Sequence, residues 1–207
     1  DSGYFKFDPE TILASLESRD TNVFTPLIII GPLDVEAIPD IMITWTQADF
    51  LKIASAVGQL VWNDPMDLRD WSVHSILFEG SCVDPSGFDS VSIVYFKTVS
   101  EGYTTRLVEI SPYFGLVTWG GEMTYPIPIL RKWKNMDLLG AKITADDALR
   151  IVGEDAKERF QLDDYCFVIM SLRQDVGPKR WELWIFSEAI YLVNLDTGAY
   201  TFRDISK

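Results

Sequence analysis

Two helix starts written in nearly the same letters constrain this chain more than any other feature. "WTQADFLKIA" occupies residues 45–54 and "ITADDALRIV" residues 143–152. In each, a threonine (Thr46 or Thr144) stands three residues before an acid (Asp49 or Asp147). That is capping-box spacing: the hydroxyl accepts from the N3 amide while the N3 carboxylate reaches back to the cap's own N–H. The acids also sit at the positive end of the helix dipole. Trp45 and Ile143 precede the caps and are placed to staple onto Phe50 and Ala148 at N4. Asp146, beside the second capping acid, is expected as its exposed neighbour. Apolar residues then recur at helical spacing: Phe50, Ile53, Ala54, Val57, Leu60 and Val61 in the first copy, and Leu149, Val152, Ala156 and Phe160 in the second. One face of each helix must pack on something.

The segments after each helix supply the packing surface. Behind the first helix come "WSVHSILFEG" (71–80), "SVSIVYFKTV" (90–99) and "TTRLVEI" (104–110). Behind the second come "YCFVIMSL" (165–172), "RWELWIF" (180–186) and "AIYLVNL" (189–195). All are rich in β-branched and aromatic residues, and their separators "DPSG", "SEG" and "DVGP" carry turn chemistry. The order helix–strand–strand–strand thus occurs twice, as a tandem duplication would write it. The strands alternate poorly between apolar and polar residues, so both faces of each sheet are expected to be partly buried. The expected fold class is α+β, with two tandem units that each lay a helix on a three-stranded antiparallel sheet. Residues 1–44 form an N-terminal lead-in, 45–123 a first unit, 124–140 a linker whose prolines disfavour regular structure, and 141–207 a second unit. Within the lead-in, "DPETILASLES" (8–18) predicts a short helix with Asp8 as N-cap and Pro9 at N1, and "NVFTPLIIIGPL" a strand.

The second unit resembles the PepSY domain, a small extracytoplasmic bacterial α+β module. The resemblance rests on "ITADDALRI" (143–151), on "RWELWIF", and on "YLVNLDTGAY" (191–200). Asp147-Ala148 matches the acidic-Ala pair at the helix start, and Asp196-Thr197-Gly198 the polar end of the last strand. The match covers about 65 residues. The first unit departs from it, with "ISPYFG" in place of the Asp-Thr-Gly turn, and is expected as a diverged copy. The resemblance implies a PepSY- and cystatin-like fold for both units. It also implies an exported, cell-envelope or lipoprotein-like setting, and regulatory contact with peptidases. The module has no catalytic residue, so none carries over.

Charge narrows the partners. The formal net charge is −13, which disfavours nucleic acid and anionic membrane surfaces, because both need clustered Lys and Arg. No apolar run approaches the ~20 residues of a membrane span. The chain starts at "DSGYFKF" without an initiator Met, as a trimmed or processed form would, so a missing signal peptide says nothing about export. Cys82 and Cys166 form no CxxC and are expected as buried free thiols, a disulfide being the alternative.

Catalytic and metal chemistry find little to work with. His74 is the one histidine, expected as a half-buried structural residue on a strand, and a His- or Cys-rich zinc site lacks ligands. Asp34, Glu36, Asp40, Glu154, Asp155, Asp163 and Asp164 include adjacent acids, but 31 acids in 207 residues produce such pairs by chance. Asp196-Thr197-Gly198 shares its letters with the aspartic peptidase triplet. A second copy is absent, and "AYTF" after it fits a strand following a hairpin turn. No catalytic, metal-binding or cofactor-binding residue is assigned, and no cofactor is expected. The expected function is a non-enzymatic, exported binding or regulatory protein that takes a protein or peptide partner, with a peptidase as one candidate. The alternative is a small-molecule or envelope-glycan binder, with Trp71, Trp119, Trp133, Trp181 and Trp184 lining a cleft between the units. A carboxylate-dependent hydrolase comes third. The sequence leaves the oligomeric state open, and also whether the two units share one core.

Overall fold

Both threonines cap helices in the computed structural model, which describes residues 7–17, 27–29, 44–81, 88–100, 102–112, 115–126, 138–160, 167–173, 179–185 and 189–205. The Thr46 hydroxyl accepts from the Asp49 N–H at 3.3 Å, and the Asp49 carboxylate accepts from the Thr46 N–H at 2.9 Å. Thr144 and Asp147 repeat the exchange at 3.2 and 3.3 Å. The helices they open are α2 (Gln47–Trp62) and α3 (Ala145–Phe160). Trp45 lies against Phe50 with ring centroids 4.8 Å apart, a hydrophobic staple. Thr46→Ala and Thr144→Ala should each cost about 1 kcal/mol of unfolding free energy by urea titration, with the serine variants close to neutral.

Among the described residues α2 is followed by five antiparallel strands and α3 by four, where the sequence predicts three in each unit, with "AYTF" as a further strand after the last turn. After α2 come β2 (Ser72–Ser81), β3 (Phe88–Val99), β4 (Gly102–Ser111) and β5 (Leu116–Trp119). After α3 come β7 (Phe167–Arg173), β8 (Arg180–Ile185), β9 (Ala189–Asn194) and β10 (Tyr200–Asp204). The reason for the fourth strand is the turn at the end of each third strand. Gly115 (φ 53°) and Gly198 (φ 72°) both adopt the left-handed region, and the chain after each doubles back into a further strand. A short β6 (Met123–Pro126) pairs with β4 as well, so 124–126, expected as linker, is strand. The lead-in gives α1 (Pro9–Glu17), with Asp8 Oδ1 accepting from the Thr11 N–H at 2.9 Å, and β1 (Leu27–Ile29).

The described strands form one antiparallel sheet in the order β1-β5-β4-β3-β2-β7-β8-β9-β10, with β6 also on β4. The two helix-plus-strands segments are joined at the centre, where β2 and β7 pair from Ser75↔Arg173 to Ser81↔Phe167. Helices and sheet share one core, which contains Leu16 of α1, Phe50 and Val57 of α2, Val152 of α3, and Phe78, Ile93, Trp181 and Tyr191 of the strands. An aromatic path crosses the seam. Phe78 of β2 lies 5.7 Å from Phe50, 4.5 Å from Phe88 and 6.0 Å from Trp181 of β8. The opposite face is also covered in places, as the poor alternation predicts: Ala189 to Val193 of β9 are all buried.

The helix starts also touch each other. The Gln47 N–H donates to Asp146 Oδ2 at 3.1 Å, and the Ala145 N–H donates to Gln47 Oε1 at 2.9 Å. Asp146 is therefore not the exposed neighbour the sequence predicts. It is half-buried because the other helix start sits against it. Burial raises its carboxyl pKa above the ordinary value, against the amide donors and Thr144, which lower it. A carboxyl that holds its proton to higher pH in the folded state makes stability fall as pH rises through that window. Asp146→Asn removes the effect. Its unfolding free energy relative to the parent should climb between pH 3 and pH 7, and a flat difference would refute this role for the carboxyl.

Candidate functional site at the β10 edge

Strand β10 ends the sheet, and no described strand pairs with its outer side. Its pairing with β9 runs Tyr200↔Val193, Thr201↔Leu192 and Phe202↔Tyr191. The Asn194 N–H donates to the Ala199 carbonyl at 2.9 Å, which sets the antiparallel alternation. It makes Thr201↔Leu192 a hydrogen-bonded pair and turns the N–H and C=O of Tyr200 and Phe202 outward.

The turn before β10 is closed by hydrogen bonds to Asn194. Asn194 Oδ1 accepts from the Asp196 and Thr197 amides at 2.9 and 3.0 Å, and the Gly198 N–H donates to the Asn194 carbonyl at 2.9 Å. A Cβ on Gly198 would stand 3.0 Å from Ile151 Cδ1 of α3 and 3.4 Å from Ile143 Cδ1. Asp196-Thr197-Gly198 is thus turn chemistry that seats the edge strand against the helix. The Asp196 carboxylate pairs with Lys179, at 3.8 Å.

Beside the edge lies an aromatic and guanidinium shelf. Tyr191 is fully buried and its hydroxyl donates to Asp155 Oδ2 at 2.7 Å. The same oxygen accepts from Arg159 Nε at 2.6 Å, and the guanidinium stacks 4.6 Å from the Phe202 ring. Phe202 lies 5.2 Å from Tyr191 and 6.1 Å from Phe160, and Tyr200 lies 5.7 Å from Tyr191. Tyr200 is 39% exposed, so it stands at the shelf's open rim. Arg159, and next the Tyr191 hydroxyl, hold the Asp155 carboxyl below its ordinary pKa. Burial, reinforced by Asp155, pushes the Tyr191 phenol well above its own. Both groups therefore keep fixed charge states near neutrality. They give shape and polarity, not a proton relay.

The other residues singled out in the sequence fall elsewhere. Trp71 and Trp181 are buried in the core, and the Trp181 indole donates to the Ile143 carbonyl at 2.9 Å. Trp184 follows three positions after Trp181 on β8 and so faces the other side of the sheet. Trp119 is half-buried at the end of β5. His74 is half-buried on β2, at the register shift between Val73 and Ser75. Glu154 is exposed and pairs with Lys157 at 3.3 Å. Cys82, Cys166, Asp34, Glu36, Asp40, Asp163, Asp164 and Trp133 lie outside the described residues.

Among the described residues no three His, Cys, Asp or Glu side chains stand together as a metal site, and no helix is long and apolar enough to cross a membrane. Sequence reasoning misses Arg159, Tyr200 and Phe202. Two signals point to them: the i,i+4 pair Asp155–Arg159, and aromatic residues alternating along "YTF". Comparison of this chain with protein-family models, with curated proteins and with solved structures found no match.

Proposed function

We propose that this chain is a non-enzymatic binding protein of the bacterial cell envelope, built of two tandem PepSY-like units, which takes an extended peptide as an added strand beside β10. The outward N–H and C=O groups of Tyr200 and Phe202, beside the shelf of Arg159, Tyr191 and Phe202, carry this reading. Strand addition supplies affinity through main-chain hydrogen bonds and specificity through alternate side chains. A peptide paired with β10 lays every second side chain along Tyr200 and Phe202. The net charge of −13 favours a basic peptide and speeds its approach. The envelope setting and a regulatory role toward a peptidase come with the PepSY resemblance, and rest on the two capped helices and the Asp196-Thr197-Gly198 turn.

The test is selection of peptides from a displayed library on the folded chain, followed by hydrogen exchange on the complex. Bound peptide should protect the Tyr200 and Phe202 amides, and N-methylation of alternate peptide amides should abolish binding. Peptides that bind with β10 unprotected, or that tolerate N-methylation at every position, would remove the strand-addition reading.

A further inference from the structure

The face of the sheet away from the helices carries a second feature, separate from the β10 edge. On β3 two serines, Ser90 and Ser92, stand where the flanking strands carry larger side chains. Ser92 pairs with Leu77 of β2 and with Glu109 of β4, and Ser90 pairs with Glu79 of β2. Among the described residues the small side chains leave a trough of about 330 Å³, walled by Leu77 and Leu116. That volume lies in the range of small-ligand pockets, roughly 300–1,000 Å³.

A carboxylate stands at each end of the trough. Glu79 Oε2 accepts from the Ser90 hydroxyl at 3.0 Å, and Glu109 Oε2 from the Thr118 hydroxyl at 2.9 Å. These hydrogen bonds fix both carboxylates toward the trough lining and leave each with a second oxygen. Among the described residues no Lys or Arg pairs with either, whereas Asp64, Glu122, Asp147 and Asp155 all have cationic partners. Glu79 and Glu109 flank β3 and are offset by two residues along it. Strand spacing and rise therefore put their Cα atoms about 12 Å apart, with the side chains able to converge on a ligand between them.

We infer that this trough binds a linear aliphatic diamine or polyamine. One ammonium meets Glu79 and the other Glu109, while the methylene chain lies across Ser90 and Ser92 between Leu77 and Leu116. The lining explains the preference. A neutral ligand would forgo both charge-assisted hydrogen bonds, and a monoamine would form only one. A rigid planar cation would not follow the diagonal between the two acids. The molecule's acidity raises the local cation concentration without selecting chain length, so selectivity must come from the spacing of the two acids.

The test is titration of the full chain with putrescine, cadaverine and spermidine, read by calorimetry and by amide NMR shifts. Pentylamine and pentanediol serve as one-charge and no-charge controls. A di- or polyamine should bind at least tenfold tighter than pentylamine, with shifts centred on Ser92, Leu116 and Thr118, and pentanediol should not bind. Glu79→Gln and Glu109→Gln keep the hydroxyl acceptor and the side-chain volume. Each should weaken diamine binding about tenfold, and the pair should bring it to the pentylamine level. Glu154→Gln, an exposed acid on α3, controls for diffuse attraction and should change binding less than twofold. The proposal is overturned if Glu154→Gln weakens binding as much as Glu79→Gln, if the double variant binds like the parent, or if pentylamine matches the diamines. Unchanged thermal melts verify that the variants are folded. Failure here leaves the β10 reading standing, because the two sites share no residue.

Discussion

Phe78→Ala should lower the unfolding free energy by about 4 kcal/mol, the middle of the range for truncating a buried aromatic. The side chain is completely buried, and three aromatic rings from α2, β3 and β8 meet it within 6.0 Å. None of them can collapse into the space without leaving its own position in the sheet or helix. Phe78 also stands on β2 opposite Met170 of β7, so the cavity opens on the seam between the two helix-plus-strands segments. A loss of this size is a large share of the ~5–15 kcal/mol that holds a domain folded. Since one core spans the seam, urea unfolding followed by tryptophan fluorescence and by far-UV circular dichroism should give one coincident transition for the parent and for Phe78→Ala. Phe78→Leu, which keeps most of the volume, should cost less than half as much. Two separated transitions would show that the segments fold independently and would contradict the shared core.

The second large effect is expected at Arg106. Its side chain on β4 is nearly fully buried, with the guanidinium 4.2 Å from the Trp71 ring and 4.7 Å from the Trp62 ring. Nε and Nη2 donate to Glu122 Oε2 at 2.9 and 2.7 Å, and Nη1 donates to the Asp64 carbonyl at 3.2 Å. The Asp64 carboxylate lies 3.3 Å away. Asn63, the left-handed C-cap of α2 at φ 50°, brings Asp64 to this point. The arginine therefore ties the end of the helix to the sheet. Arg106→Ala leaves a gap between two indoles and a carbonyl without its donor, and should cost about 3 kcal/mol. Arg106→Met restores volume without the charge and should recover part of that loss. Arg106→Lys should behave closer to alanine than to arginine, because an ammonium cannot stack on the rings and donate along both edges at once. Equal stability of the alanine variant and the parent, by the same urea titrations, would refute the role.

The features that can be read from the sequence are those that few adjacent residues decide. Thr46 with Asp49, Thr144 with Asp147, and Asp8 with Pro9 announce three helix starts, because a cap needs only a side-chain oxygen and the amides within its reach. The turn at Asp196-Thr197-Gly198 is as local, since Gly198 supplies the positive φ and Asn194 the acceptor. The strand segments are legible in their β-branched and aromatic runs. Of the candidate site, the turn and the strand after it are readable, and so is the Asp155–Arg159 spacing. The shelf is not, because Arg159, Tyr191 and Phe202 meet only once β9 and β10 are paired beneath α3.

Tertiary structure alone decided the rest. A strand's own composition does not say whether it lies at a centre or an edge. β2 and β7 are both apolar enough for either place, and only the choice of neighbour makes them the seam and leaves β10 outermost. The number of strands behind α2 escapes the sequence for a related reason: β5 and β6 are short and gain their place by pairing with β4, a gain no window of sequence contains. Asp146 became half-buried because Gln47, far away along the chain, brings its amide to it. Arg106 looks like one more solvated cation until Trp62 and Trp71 close on it. Glu79 and Glu109 are visible as acids inside strands, but their common trough depends on the register that sets Ser90 and Ser92 between them. Capping and turn energies are set within one or two turns of chain, so the sequence determines them directly. Pairing and burial are set by surfaces assembled from distant segments, where several arrangements satisfy the same local preferences and only the best-packed one survives.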